Sequence, residues 1–289
     1  MMLYFDCMQI QTTIAGIPIG DTHPVRLMGV INLSPESFYE GSVFLKAEEV
    51  LAKAKEMIDQ GCDIIDIGGR STAPGVAPIS VSIEKERVLP VLKALLEATT
   101  IPISVDTQYA VVAEEALKLG CQIINDVSGL NADPQMVSLL GEYDCPIIIM
   151  ATQKVPGDCL TMPEINEALS KSIKNASTHG INPNRIIVDP GIGKWISTKL
   201  PQYNLEIINQ LQKLRKLGKP ILVGISRKSF IGEILQKPQP ADRLTGSLAA
   251  TAIAVYNGAH LVRTHDVGMT RDIIRIAESL RTALTRKER

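Results

Sequence analysis

Polar and charged residues recur at one kind of place in this chain, the end of a short apolar run. Asn32 follows the run 26–31, Asp66 falls in 64–67, Asp106 follows 101–105, and Asn125 with Asp126 closes 123–125. Four further runs, 147–150, 186–188, 221–223 and 261–263, end on Met150, just before Asp189, before the triplet Ser226-Arg227-Lys228, and on Arg263 with His265 and Asp266 just beyond. A polar residue at one such place is an ordinary strand terminator. The same end being polar almost every time is not explained that way.

The set also has a chemical logic. Asp106, Asn125, Asp189 and Lys228 offer two carboxylates, an amide and an ammonium. That combination suits a flat heterocycle with a guanidine-like edge, because a carboxylate accepts two parallel N–H bonds, as it does from arginine. Arg263 and His265, with Asn32 and the Ser226-Arg227 pair, offer donors suited to phosphate oxygens.

The elements that must hold these residues alternate along the chain. The eight runs are Val/Ile-rich and mostly apolar throughout, which predicts parallel strands covered on both faces. Between them lie helical patterns at 46–60, 83–98, 110–119, 134–143, 163–179, 203–217, 241–256 and 270–284; in the first, Ala47, Val50, Leu51, Ala54, Met57 and Ile58 form one face, and Gly61 closes it. Eight strand–helix units at about 36 residues each predict an α/β fold, a (β/α)8 (TIM) barrel. A doubly wound open sheet is the rival, but its G-x-G-x-x-G fingerprint is absent. No linker divides the chain, so one domain is expected, with 1–24 as an N-terminal extension and 25–285 as the barrel.

Composition narrows the function classes. Across 289 residues, 30 Lys and Arg stand against 31 Asp and Glu, which argues against a generic nucleic-acid groove. No apolar run approaches the ~18 residues that span a bilayer. Asp6 and the lack of a basic start make the N-terminus a poor signal peptide. Five cysteines form no C-x-x-C pair, and four lie in or beside apolar stretches, as buried reduced thiols do. The reading is a cytoplasmic protein with small-molecule partners, neither nucleic acid nor membrane.

Several motifs together carry a family resemblance. M-G-V-I-N-L-S-P-E-S-F (28–38), D-I-G-G-R-S-T-A-P-G (66–75), S-V-D-T (104–107), I-N-D-V-S-G (124–129), D-P-G-I-G (189–193), S-R-K-S-F-I-G (226–232), R-L-T-G-S-L-A-A-T (243–251) and R-T-H-D-V (263–267) occur in order, most of them at predicted strand ends. The chain thus resembles the dihydropteroate synthases from Met28 to about Val267. That resemblance implies joining of a dihydropterin pyrophosphate to p-aminobenzoate, with release of pyrophosphate. It implies that Asp106, Asn125, Asp189 and Lys228 hold the pterin, and that Asn32, Arg263 and His265 hold the pyrophosphate with Mg²⁺. Asp66 matches a family carboxylate, Thr72 and the Ser226-Arg227 region border both substrates, and Phe38 covers the aminobenzoate. Glu40 falls where the family's first loop carries an aspartate, which makes it the second metal candidate beside Asn32. A homodimer is expected, since the last helices of such barrels often pair.

The chain departs from the family pattern in three places. The second loop, usually E-S-T-R-P-G, reads Arg70-Ser71-Thr72-Ala73-Pro74-Gly75. Arg70 either replaces the arginine missing at Ala73 or is a solvated loop charge. After the fifth run only Met150 could serve as an apolar wall. The segment after Asp189 is rearranged to Gly193-Lys194-Trp195, where Trp195, the sole tryptophan, either stacks on the pterin or packs under the next helix. These departures leave a substituted aminobenzene open as second substrate. A pterin-binding methyltransferase would lack a use for the Asn32–Phe38 loop. A Schiff-base aldolase on Lys228 and a non-catalytic pterin binder complete the alternatives.

Overall fold

A computed structural model describes residues 9–34, 43–70 and 79–286. Eight parallel strands form the centre: β3 (Arg26–Asn32), β4 (Ile64–Gly68), β5 (Ile103–Asp106), β6 (Ile123–Asp126), β7 (Ile147–Met150), β8 (Ile186–Asp189), β9 (Leu222–Gly224) and β10 (Leu261–Thr264). Each pairs with its sequence neighbours, and β10 returns to β3. The last gap closes where Val188 bridges Ile221 and its N–H donates to the Pro220 carbonyl at 2.9 Å. The expected (β/α)8 barrel is the observed fold.

Helices α1 (Val43–Asp59), α2 (Val81–Ala98), α3 (Ala110–Leu119), α4 (Pro134–Glu142), α5 (Met162–Thr178), α6 (Pro201–Asn209), α7 (Ser229–Leu235), α8 (Leu244–Tyr256) and α9 (Val267–Arg286) surround it. Their starts follow local chemistry. Thr161 and Glu164 form a capping box on α5, and Ser80 caps α2 by accepting from the Ile83 N–H. The helix expected over 203–217 divides instead into α6 and a 3-10 turn at Leu211–Leu217, which Gly218 ends in the left-handed region.

Strand alternation explains how one barrel is both apolar and polar inside. Ile65 and Ile67 pack outward under the helices, whereas Ile64 joins an interior layer with Met28, Ile123, Ile148, Ile187, Leu222 and Leu261. The next inward position lies two residues up each strand, about 6.6 Å higher. There stand Asp66, Asn125, Asp189 and Arg263. Because the residue after each apolar run still pairs with the neighbouring strand, most strands run one residue further than those runs suggest.

Below the apolar layer lies a feature that 1–24, read as an extension, did not reveal. Strands β1 (Gln11–Ile14) and β2 (Ile17–Gly20) form a hairpin whose Ile14 and Ile19 are fully buried in the interior layer. Its turn, Ala15-Gly16, has positive φ at both residues (47° and 81°), the backbone of a tight hairpin that twists with its strands. The hairpin stoppers the N-terminal end of the barrel.

Asp21 fastens this stopper. It accepts from Arg215 at 2.6 and 2.8 Å, from the Ile10 N–H at 2.8 Å, and from His260 Nε2 at 3.2 Å. His260 Nδ1 accepts from the Ile221 N–H, so the ring proton sits on Nε2 and points at Asp21. Burial works to raise the Asp21 pKa, but the bonds from Arg215, His260 and Ile10 hold it well below its ordinary value of 3.8. A depressed carboxyl contributes stability that is full above its unfolded pKa and lost as pH falls through it. Acid titration should therefore weaken the fold from about pH 5 downward. Asp21→Asn should lower stability at pH 7 by roughly 2 kcal/mol and flatten that acid limb, as read by denaturant melts at several pH values.

Candidate active site

The C-terminal mouth of the barrel gathers most of the residues singled out from the sequence into three groups. In the first, Arg263 Nε donates to Asp66 Oδ2 at 2.7 Å and Nη2 to Asp106 Oδ2 at 3.2 Å, while Asn125 Nδ2 lies 3.4 Å from the same Asp66 oxygen. Asp66 is fully buried and its other oxygen has no partner among the described residues. Gly68, beside Asp106 in the β4–β5 register, leaves room for it: a Cβ there would meet the Asp106 Cβ at 3.2 Å. Burial pushes the Asp106 carboxyl up to about 7, with Asp66, Glu84 and Asp126 adding to it against the pull of Arg263.

The second group stands on β8 and the segment after β9. Asp189 Oδ1 accepts from the Gly191 N–H at 2.8 Å, and burial raises its pKa against the attraction of Lys228. Lys228 donates to the Ile192 carbonyl and lies 5.2 Å from the centre of the Trp195 ring. Burial brings this ammonium down to about 8. Met150 is fully buried, pairs in register with Asp189, and would touch a Cβ added at Gly191.

The third group joins β3, β10 and the Ser226 turn. His265 Nδ1 lies 3.0 Å from Ser226 Oγ, and its Nε2 lies 3.4 Å from Asn32 Nδ2. With the amide donating to Nε2, the ring proton belongs on Nδ1, toward Ser226. Burial lowers His265 to about 4, helped by Arg263, Arg227 and Lys228. The imidazole is therefore neutral at pH 7.

Other singled-out residues take different places. Arg227 adopts a positive φ of 57° and forms a two-pronged ion pair with Asp266, at 3.0 and 2.6 Å. Its guanidinium is thus engaged at the rim. Asp126 turns from the mouth and accepts from the N–H groups of Ser128 and Leu130. Phe38, Glu40, Thr72 and Ala73 lie outside the described residues. Arg70 is described; its Nε is buried without a hydrogen-bond partner among the described residues, and its charge lowers the otherwise raised pKa of Glu84. It is therefore not a freely solvated loop charge. Glu84, 2% exposed and felt by Asp106, escaped the sequence reading because it sits in a helix rather than at a strand end.

The described residues contain no cluster of three or more His, Cys, Asp or Glu placed to hold a metal. Asn32 stands at the mouth with its amide nitrogen toward His265, so its carbonyl oxygen is the end left for a cation. One neutral oxygen fits an ion that takes few protein ligands and completes its shell with phosphate oxygens.

A parallel barrel with buried carboxylates, an amide and an ammonium at its mouth is a site built for a flat, hydrogen-bonding ring. The family model for "Pterin binding enzyme" matches residues 28–265. The dihydropteroate synthase of Synechocystis is 37% identical over 91% of this chain and 94% of its own length. That of Bacillus subtilis is 39% identical over 90% and 89%. The structure of Xanthomonas albilineans dihydropteroate synthase in complex with 7,8-dihydropteroate superposes with a TM-score of 0.82 at 31% identity, covering 93% of this chain and 98% of that one. The chain belongs to the pterin-binding enzyme family, among its dihydropteroate synthases.

Proposed function

We infer that this chain is a dihydropteroate synthase, a transferase that condenses 6-hydroxymethyl-7,8-dihydropterin pyrophosphate with p-aminobenzoate to dihydropteroate and pyrophosphate. The observation that carries this reading is the meeting of Asp106, Asn125, Asp189 and Lys228 at one mouth, in a chain whose relatives have that activity. The two carboxylates accept ring N–H groups, Asn125 and Lys228 complete the ring's edge, and Met150 supplies an apolar wall. Displacement at the pterin CH₂ breaks its C–O bond, forms the C–N bond and leaves the electron pair on pyrophosphate, and the amine then gives up one proton to solvent. Asp106 and Asp189, fixed in a water-poor site, stabilise the positive charge that develops on the ring.

An arylamine is already a neutral nucleophile at pH 7, so a strong general base is unnecessary. A neutral His265 agrees with this assignment. Together with Asn32, Ser226 and Arg263 it forms the pyrophosphate end of the site. Asn32 and, from the first loop, Glu40 would hold Mg²⁺, which when bound neutralises the leaving pyrophosphate.

The test is pyrophosphate release from dihydropterin pyrophosphate with p-aminobenzoate or a substituted aminobenzene. Release is expected with p-aminobenzoate, rising with Mg²⁺, and with a smaller Mg²⁺ response in Glu40→Gln. Release only with the substituted amine, or none, would overturn the substrate assignment.

No helix among the described residues is long and apolar enough to cross a membrane. Buried free thiols at Cys62, Cys121, Cys145 and Cys159 support a cytoplasmic setting. A second copy of the chain is the proposed cover for Met269, Ile276 and Leu280, exposed apolar residues at helical spacing on α9. Sedimentation should give a dimer, and Ile276→Glu a monomer.

A further inference from the structure

Lys199 is among the largest fully buried side chains of the described residues, yet it lies in a connection, between β8 and α6. Its ammonium has no carboxylate within ion-pair distance among the described residues. Instead Nζ donates to two backbone carbonyls, Gly191 at 2.8 Å and Cys159 at 3.0 Å. The first belongs to the turn after Asp189; the second belongs to the β7–α5 connection. Burying an ammonium against neutral carbonyls is costly, and its pKa falls to about 8 through burial. A packing role alone would be filled better by leucine or methionine.

What the two carbonyls share is the wall beside Lys228. Gly191 is followed by Ile192, whose carbonyl accepts from both Lys228 and Trp195 Nε1, the latter at 3.3 Å. On the other side, a Cβ at Gly157 would lie 2.1 Å from the Trp195 Cβ, so the β7–α5 connection presses directly on the indole. Asp158 stiffens that connection by accepting from the N–H groups of Gln153, Lys154 and Val155. The contacts therefore close a ring, running from Lys199 through Gly191 and Ile192 to Lys228 and Trp195, then through Gly157 and Cys159 back to Lys199.

We propose that Lys199 is a positioning residue of the pterin end of the site: its ammonium ties the two connections together so that the Ile192 carbonyl and the Trp195 face stand where Lys228 meets them. This rests on the functional reading above, in which Lys228 and Trp195 border the pterin. Lys199 itself touches no substrate. Its effect should reach the pterin and leave the pyrophosphate end, at His265 and Asn32, unchanged.

Calorimetry with 6-hydroxymethylpterin and, separately, with pyrophosphate tests the proposal on wild type, Lys199→Met, Lys199→Arg and Trp195→Ala. Lys199→Met should weaken pterin binding by about tenfold and leave pyrophosphate binding within about twofold. Lys199→Arg, which keeps the charge and donors, should recover part of the loss. The emission of Trp195, the sole tryptophan, should shift in Lys199→Met. In a Trp195→Ala background the Lys199→Met penalty should shrink, because the two residues act on one surface. Equal losses for both ligands, wild-type pterin binding, or an undiminished penalty in that background would each overturn the proposal. If Lys199→Met does not fold, Gly157→Ala approaches the same indole from the other connection, and unaltered pterin binding there would refute it. A wild type that binds no pterin overturns the functional reading as well; pterin binding insensitive to Lys199 overturns this proposal alone.

Discussion

Asp106→Asn should leave a folded barrel whose kcat/KM is lower by about 10² or more, the scale of losing one preorganised electrostatic group. The amide keeps the shape of the side chain but removes the charge facing the pterin and half of its acceptor capacity. The pH profile should report the same group. Burial first, and then the neighbouring acids, raise this carboxyl to about 7. Activity in the wild type should therefore climb through neutral pH as Asp106 ionises, and that limb should be missing in Asp106→Asn. Stability should move the other way. The folded state holds a proton that the unfolded carboxyl has released above its ordinary 3.8, so this group's contribution declines as pH rises toward about 7. Near wild-type turnover in Asp106→Asn would remove it from the ring-binding face.

Arg263→Ala should be the most destabilising substitution at the mouth. Asp66 is fully buried and already has one unpartnered oxygen, and Arg263 supplies its 2.7 Å ion pair. Removing one partner of a buried pair leaves an uncompensated charge, a loss of about 3–5 kcal/mol in a denaturant melt. Replacing Asp66 by leucine in the same chain should recover much of it, since an apolar pair leaves no stranded charge. Binding should separate Arg263 from its neighbour two residues on. Because Arg263 also touches Asp106, Arg263→Ala should weaken pterin and pyrophosphate together, whereas His265→Ala should weaken pyrophosphate alone. Full stability in Arg263→Ala would contradict the ion pair with Asp66.

Which parts of this were legible in the sequence has a physical explanation. The barrel was legible because both faces of each strand are covered, so the runs 147–150, 186–188 and 221–223 are apolar throughout. Strand ends were misjudged by a residue because an apolar run stops at the first charge. Asp106, Asp126 and Asp189 are nonetheless the last paired residues of β5, β6 and β8. The β1–β2 hairpin was missed since its strands are four residues long and its turn has Ala15 where Asn is the stronger signal. Helix α7 was missed because seven residues interrupted by Gly232 show little helical period. Side-chain pairings were beyond reach altogether. Nothing local announces that Arg227 binds Asp266 across 39 positions, or that Arg263 turns to Asp66 and Asp106.

The stopper of Ile14 and Ile19 has a consequence for traffic. With the N-terminal end closed by the hairpin and the apolar layer it joins, the C-terminal rim is the face that the described residues leave for molecules to enter and leave. Asp66, Asp106, Asn125 and Asp189 line the well above the stopper, while the pyrophosphate end opens beside His265 at the lip. A ring that reaches those carboxylates goes down first and comes up last. Pyrophosphate, held in part at the lip beside His265 and Asn32, can depart while the joined product still sits on the carboxylates. Order of departure would then follow from depth.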